Sequence, residues 1–210
     1  IISIANQFNI PVLMECLGSR FLKKYDNIIS SYEFILNHCK LDPDLIIRFG
    51  KKPISNTLNN FLDKNRDITY LITEKLFNDD AKNIIECQTS IFLEQFIKRK
   101  FKYNISWLNS LIIKQKKIKR YINNFFKTPR DHEGYIINKI LSFFPLNSNL
   151  MIGNSSPIRD LDNFTFNSSS KINVFSNRGA SGIDGIISTS MGLALKQKKH
   201  NFLILGDISF

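Results

Sequence analysis

Cysteine is scarce in this 210-residue sequence: Cys16, Cys39 and Cys87 lie far apart, with no Cys-x-x-Cys pair among them. An odd number of scattered thiols argues against a disulfide framework and reads as buried free thiols in a reducing compartment. Histidine is equally sparse, and His38, His132 and His200 form no set with the cysteines at zinc-ligand spacing, so a zinc centre is not expected. No apolar run approaches the roughly 20 residues needed to cross a bilayer, and the first residues carry no basic region with a signal-type cleavage site, so no membrane partner is expected. Internal repeats and low-complexity tracts are also missing. Acidic residues are outnumbered, 18 against 29 Lys and Arg, which leaves a formal net charge of +11.

What is there is the composition of an ordinary globular protein, 43% hydrophobic and 22% charged. The basic excess is densest at Lys114 to Arg120, KQKKIKR, preceded by Lys98, Arg99, Lys100 and Lys102. On an amphipathic helix such a run is more often a solvated face than a nucleic-acid site, and no aromatic stacking platform accompanies it. Nucleic acid is therefore not an expected partner, although a basic, non-catalytic nucleic-acid-binding module stays open as an alternative. The abundance of Ile, Asn, Lys and Phe, all served by AT-rich codons, accounts for part of the excess.

Hydrophobic periodicity divides the chain into alternating elements. A helix is expected over Ile1 to Asn9, a short strand at Val12 to Met14, and a helix closing at Phe34 to His38. A strand then runs from Pro43 into Gly50, followed by a helix from about Ser55 to Leu62 and strands at Ile68 to Ile72 and Asn83 to Cys87. Helices are expected from Ser90 to about Lys102, from Tyr103 to Phe126 and from about Glu133 to Phe144, the last with Ile136, Ile137, Ile140 and Leu141 on one face. Leu150 to Gly153 reads as a strand, with Asn154 to Ser156 as a polar turn and Pro157 as the first helical residue after a Ser cap. Lys171 to Phe175 is the next strand, and the polar stretch Asn163 to Ser170 before it reads as a loop. Such alternation predicts an α/β fold, parallel sheets flanked by helices, with a boundary near Phe101 to Asn104 that separates residues 1–102 from residues 103–210. The sequence begins at Ile1 and stops just past a strand-end Gly-Asp, where an α/β unit should continue, so it reads as an internal fragment holding two partial domains.

The chemistry concentrates at Asn177-Arg178-Gly179-Ala180-Ser181-Gly182-Ile183-Asp184-Gly185, which leads into a small-residue helix and then the strand Asn201 to Leu205 with Gly206 and Asp207 at its end. Glycines let the backbone approach a phosphate, and a helix N-terminus adds a favourable dipole. A carboxylate just past the end of a parallel strand lies where open α/β sheets bind ligands, so the pattern suggests a diphosphate held through a hard cation. By itself a Gly-x-x-Gly-x-x-Gly spacing also suits a dinucleotide-dependent oxidoreductase.

The surrounding words narrow this. VFSNRGASGIDGIIS, from Val174 to Ser188, GNSSPIRDLDNF, from Gly153 to Phe164, and the closing LGDISF resemble the MenD family, the thiamine-diphosphate-dependent 2-succinyl-5-enolpyruvyl-6-hydroxy-3-cyclohexene-1-carboxylate synthases of menaquinone and phylloquinone biosynthesis. LIIRFGKKPISN, from Leu45 to Asn56, resembles the family's central domain. The resemblance implies a thiamine-diphosphate-enzyme fold, with residues 1–102 as part of a central Rossmann-like scaffold and residues 103–210 as the N-terminal part of the diphosphate-binding domain. It implies a transferase that decarboxylates 2-oxoglutarate and adds the succinyl semialdehyde unit to isochorismate, as a homodimer or homotetramer. The implied cofactors are thiamine diphosphate and Mg²⁺ or Mn²⁺, held by Ser155, Ile183, Gly206 and Asp207, with Asp207 as the metal ligand and Ile183 as the apolar wedge beneath the bent cofactor. The activating glutamate belongs to an N-terminal domain outside this sequence, so no catalytic acid is expected here and the fragment alone should be inactive. Both implied substrates are multiply anionic, and Arg159 and Arg178, as fixed, always-charged bidentate donors to carboxylates, are the candidate substrate clamps. For Arg159 an ion pair with Asp162 on its own helix is the plain alternative. AT-rich composition together with the implied pathway points to a plastid stroma, or else a bacterial cytoplasm.

Overall fold

The computed structural model describes residues 1–18, 25–75, 79–99, 104–165, 171–178 and 182–210. The first half alternates helices and short strands: α1 (Ile2–Gln7), β1 (Val12–Leu13), β2 (Ile28–Ile29), α2 (Tyr32–His38), β3 (Ile46–Phe49), α3 (Asn56–Lys64), β4 (Thr69–Thr73), β5 (Asn83–Glu86) and α4 (Thr89–Phe96). The second half continues with α5 (Ile105–Phe125), α6 (Glu133–Leu141), β6 (Asn149–Ile152), α7 (Ser156–Phe164), β7 (Asn173–Phe175), α8 (Ile186–Lys196) and β8 (Asn201–Ile204). Every pairing among the described strands is parallel, in three sheets ordered β1-β2, β3-β4-β5 and β7-β6-β8. The α/β architecture read from periodicity is therefore the architecture observed.

Local chemistry explains the boundaries. Asn9, the expected stop of α1, takes φ 53° just past the helix, a left-handed conformation that Asn tolerates. Ser55 caps α3, its hydroxyl accepting the Leu58 N–H at 3.0 Å, and Asn104 caps α5 by accepting from Trp107 N at 3.1 Å. At α6 the cap is His132, whose Nδ1 accepts the Gly134 N–H at 2.9 Å and must therefore be the unprotonated ring nitrogen.

Two expectations are revised, and two others fall on residues that the structure does not describe. The helix from Ser90 ends at Phe96, once its apolar face is spent and the basic residues Lys98 and Arg99 begin. Residues 100–103, where the domain boundary is expected, lie outside the described residues, as do 166–170 of the polar loop. The Ile stripe of α6 splits: Ile137 and Leu141 are buried, whereas Ile136 and Ile140 are 52% and 38% exposed.

Two cores form. One gathers Ile29, Tyr32, Ile35, Leu58 and Leu111, with Trp107 and Ile118 packed against it, so the tryptophan serves packing and α5 lies over the elements of the first half. The other joins Ile137, Leu141, Leu150, Ile152, Ile158, Leu161 and Ile172 to Cys16, which reaches across from the loop after β1. Strand β6 is buried at all four positions, as a central parallel strand covered on both faces should be. Its first residue, Asn149, is fully buried and is satisfied sideways: Asn173 Nδ2 donates to its Oδ1 at 3.0 Å, and its own Nδ2 donates to Asn201 Oδ1 at 2.9 Å and to Gln197 Oε1 at 3.0 Å. These asparagines are register partners in the three adjacent strands, Asn149↔Asn173 and Asn149↔Asn201.

The basic run of α5 faces two ways. Lys116, Lys117 and Arg120 are exposed, while Gln115 among them turns inward. Its Oε1 accepts the Ser30 N–H at 2.7 Å, and its Nε2 donates to Ile28 O at 2.9 Å, tying α5 to the exit of β2.

Candidate functional site

Three parallel strands ordered β7-β6-β8 deliver three chain exits to one edge: Gly153-Asn154-Ser155, Ser176-Asn177-Arg178 and Leu205-Gly206-Asp207. The chain leaves β6 for β7 on one side and returns to β8 on the other, the strand arrangement around which open α/β sheets form their crevice. The exits of β6 and β8 press together. Gly153 N donates to Ile204 O at 2.7 Å, and a Cβ on Gly153 would stand 3.2 Å from Leu205 Cα, so a side chain there would have to displace backbone.

Asn154 holds the glycine-rich turn from within. It is 7% exposed, and its Nδ2 donates to Asn177 O at 3.2 Å and to Gly182 O at 2.9 Å, gripping the turn at both ends, while its Oδ1 accepts the Ser176 hydroxyl at 3.4 Å. Gly179, with Ala180 and Ser181, lies outside the described residues. Gly185 adopts φ 74° as the residue before α8, a left-handed backbone that a glycine takes without steric cost.

Ser155 stands before α7 at φ 70° and ψ −130°, and its hydroxyl makes no cap bond, contrary to the expected Ser cap. A non-glycine residue there carries strain of about 1–3 kcal/mol, and such outliers gather at binding sites. Ile183 is 43% exposed in front of α8, and the buried apolar residue at that helix start is Ile186, at 1%. Ile183 is therefore available as a surface wedge, and packing on the sheet falls to its neighbour.

The arginines differ. Arg178 is half-buried, and its charge acts on Glu15, a residue in the loop after β1. Arg159 is exposed, and the proposed partner Asp162 turns the other way: it is 4% exposed, and its carboxylate accepts from Cys16 N at 2.7 Å and from the Tyr32 hydroxyl. The local ion pair is thus replaced by a tie between α7 and the first half of the chain. On the same helix, burial pushes the Asp160 carboxyl up, and Glu133 of α6 adds to the rise. Arg48, the strand-end cation of the first half, is engaged structurally with Asp79, the two side chains being 10% and 2% exposed.

Sequence reasoning missed Glu15. Its carboxylate accepts the backbone N–H groups of Ile54 and of Ser55, the latter at 3.1 Å, at the start of α3. Burial, then the charge of Asp162, push its pKa up to about 7, against the lowering effect of those N–H donors and of Arg178. Nothing in the sequence marks it, because the contacts that define it come from residues about 40 to 160 positions away.

The edge suits a diphosphate and a hard cation. Asp207 presents an exposed carboxylate at the start of a short 3₁₀ turn, Asp207–Ser209. Nothing lies within 4 Å of where a Cβ on Gly206 would sit, and a cleft of about 500 Å³ opens beside Leu203 to Asp207, bounded by Ile140 and Phe210. Among the described residues no group of three or more His, Cys, Asp or Glu side chains is arranged to hold a metal ion.

No protein-family model matches the chain. Curated proteins do. The chain is 29% identical over 223 residues to the 2-succinyl-5-enolpyruvyl-6-hydroxy-3-cyclohexene-1-carboxylate synthase of Bacillus pumilus, and 30% identical over 222 and 228 residues to those of Bacillus velezensis and Listeria innocua. The chain is a homologue of these synthases. Each match covers 100% of the chain, which spans 38% of the length of the synthase it matches.

Proposed function

We propose that the protein acts as, or as part of, a thiamine-diphosphate-dependent 2-succinyl-5-enolpyruvyl-6-hydroxy-3-cyclohexene-1-carboxylate synthase. The observation that carries this is the convergence of the Gly153–Ser155, Ser176–Arg178 and Gly206–Asp207 exits on one sheet edge in a chain homologous throughout to those enzymes. Residues 1–102 would then be part of the central scaffold and residues 103–210 the front of the diphosphate-binding domain, with α5 as the connector lying over the first core.

In this reading Asp207 ligates Mg²⁺ or Mn²⁺, and Gly206 leaves room for the diphosphate. Ser155 and Ile183 face the organic part of the cofactor, Ile183 as its apolar support. The chemistry that such a cofactor supplies is stabilisation of negative charge at a former carbonyl carbon, which permits loss of CO₂ from a 2-oxo acid and transfer of the remainder to an acceptor. The chain's own contribution is binding and orientation: Arg178 and Arg159 offer fixed, always-charged forks to the carboxylates of 2-oxoglutarate and isochorismate. The acid that activates the cofactor would come from outside residues 1–210, in a homodimer or homotetramer. A plastid stroma is the compartment we assign to the reaction, with menaquinone or phylloquinone as the end product.

Calorimetric titration of thiamine diphosphate, with and without Mg²⁺, tests this. Metal-dependent binding that Asp207→Ala abolishes is the expected result, and a folded protein that binds no thiamine diphosphate overturns the reading.

A further inference from the structure

Among the described residues, three buried side-chain atoms have no hydrogen-bond partner in the protein: Asn27 Oδ1, Arg48 Nε and Asn59 Oδ1. A buried polar atom left in that state is costly, and each case calls for a physical reason. Two of the three belong to residues that line the same cavity, of about 80 Å³, which is bounded by residues of β3, of α3 and of the segment leading into β5. That volume is several times the roughly 10–15 Å³ that one water molecule needs.

The rest of each side chain is already engaged. Arg48 donates through Nη2 to Asp79, and the two side chains are 10% and 2% exposed. Asn59 donates from Nδ2 to Pro53 O at 3.0 Å; a carbonyl can only accept, so the orientation of the amide is settled and Oδ1 is the atom left over. The wall therefore holds a cationic donor and a neutral acceptor that are not bonded to each other. Its charges are balanced. Lys52 meets Asp80 at 2.7 Å and Lys82 meets Asp67 at 2.5 Å, which with Arg48 and Asp79 makes three matched pairs and leaves Arg66 and Asp63 of the lining to offset one another. Without a surplus of positive charge the cavity does not suit a multiply charged anion.

We infer that this cavity is a binding site for a small, singly charged oxyanion that also bears a hydroxyl, with bicarbonate as the simplest case. Its charged oxygen accepts the Arg48 Nε–H, and its O–H donates to Asn59 Oδ1, so one molecule satisfies both orphaned atoms and bridges β3 to α3. An oxyanion without a hydroxyl would answer Arg48 alone and set a second acceptor against Asn59. The site draws on no residue of the β7-β6-β8 edge, so it stands independently of the function proposed above.

The test is nuclear magnetic resonance on the full chain, isotopically labelled at its arginine nitrogens. At mildly alkaline pH the N–H signals of exposed arginines are lost to exchange with water, and the buried Arg48 Nε–H is retained. Sodium bicarbonate is the probe. Sodium nitrate, also planar and singly charged but with no hydrogen to donate, is the control. Bicarbonate should shift the Arg48 signal with saturation, and nitrate should bind about tenfold more weakly, the loss expected when a buried acceptor keeps no donor. Asn59→Leu should bring the two anions to equal affinity. No saturable shift with either anion overturns the inference, the cavity then holding water alone. An equal response of the wild type to both anions overturns it as well, since the hydroxyl then plays no part. A preference for bicarbonate that survives in a folded Asn59→Leu also overturns it, and where that variant does not fold the wild-type comparison decides.

Discussion

Asp162 on α7 accepts the hydroxyl of Tyr32 on α2, 130 positions earlier, and both residues are buried. A carboxylate at 4% exposure is tolerated only because Tyr32 and the Cys16 N–H occupy both of its oxygens. The bond ties α7 to α2 across the two halves of the chain.

Removing either partner should be costly and unequal. Tyr32→Phe should lower stability by about 1–2 kcal/mol, the loss of one charge-assisted hydrogen bond, whereas Asp162→Ala should cost about 3 kcal/mol because it strands two buried donors. Urea denaturation of both variants measures the difference, and equal losses would show that the carboxylate matters only through the tyrosine.

Gly153→Ala places a methyl group 3.2 Å from Leu205 Cα, so the exits of β6 and β8 must separate. The expected result is destabilisation of about 1–3 kcal/mol, as for other overpacked sites, together with weakened thiamine diphosphate binding, because Gly206 and Asp207 follow directly. Thermal unfolding and calorimetry report the two effects separately.

Ser155→Gly should act in the opposite sense on stability. Relief of the positive φ of 70° is worth about 1 kcal/mol net after the added freedom of glycine in the unfolded chain. Loss of the hydroxyl should at the same time weaken ligand binding, so a higher Tm with poorer binding is the signature to look for.

Glu15 predicts a pH dependence whose sign is fixed. Its folded pKa, about 7, lies above the ordinary 4.5, so the stability that its protonated form contributes is fully present below pH 4.5 and is lost as the pH rises through 7. A displacement of that size is worth about 3 kcal/mol at most. Glu15→Gln, which keeps an oxygen to accept from Ile54 and Ser55, should therefore be more stable than wild type at pH 8 and nearly equal to it at pH 4.5, in thermal scans at both values.

Much of the architecture was legible because it is local. Ser55 before an apolar helix and Asn9 after one announce their boundaries in a few residues, and β3, β4 and β5 are bounded by turn residues. What escaped is set by distance in space. Strand β2 is only Ile28–Ile29, too short for a periodic signal, and it exists because β1 and Gln115 satisfy its backbone. Gln115 itself is hidden in a basic run of which Lys116, Lys117 and Arg120 are exposed, since side-chain chemistry alone does not say that a glutamine of KQKKIKR turns inward. At the candidate site the words around Ser155, Arg178 and Asp207 could be read directly, whereas Asn154 and Glu15 could not, because each is defined by partners from other elements. The apolar face expected for α6 is buried only at Ile137 and Leu141, because the packing that covers a helix comes from other elements and leaves Ile136 and Ile140 exposed.

The three asparagines at the far end of the β7-β6-β8 sheet act as its datum line. Their side chains match only in one alignment, so sliding a strand by one step of about 3.4 Å would break the ladder and turn each following residue to the opposite face. Ser155, Arg178 and Asp207 are each reached by counting along a strand from one of these asparagines. The polar end of the sheet thus gauges the working end, and a substitution at Asn149 would be felt as misalignment at a site it never touches.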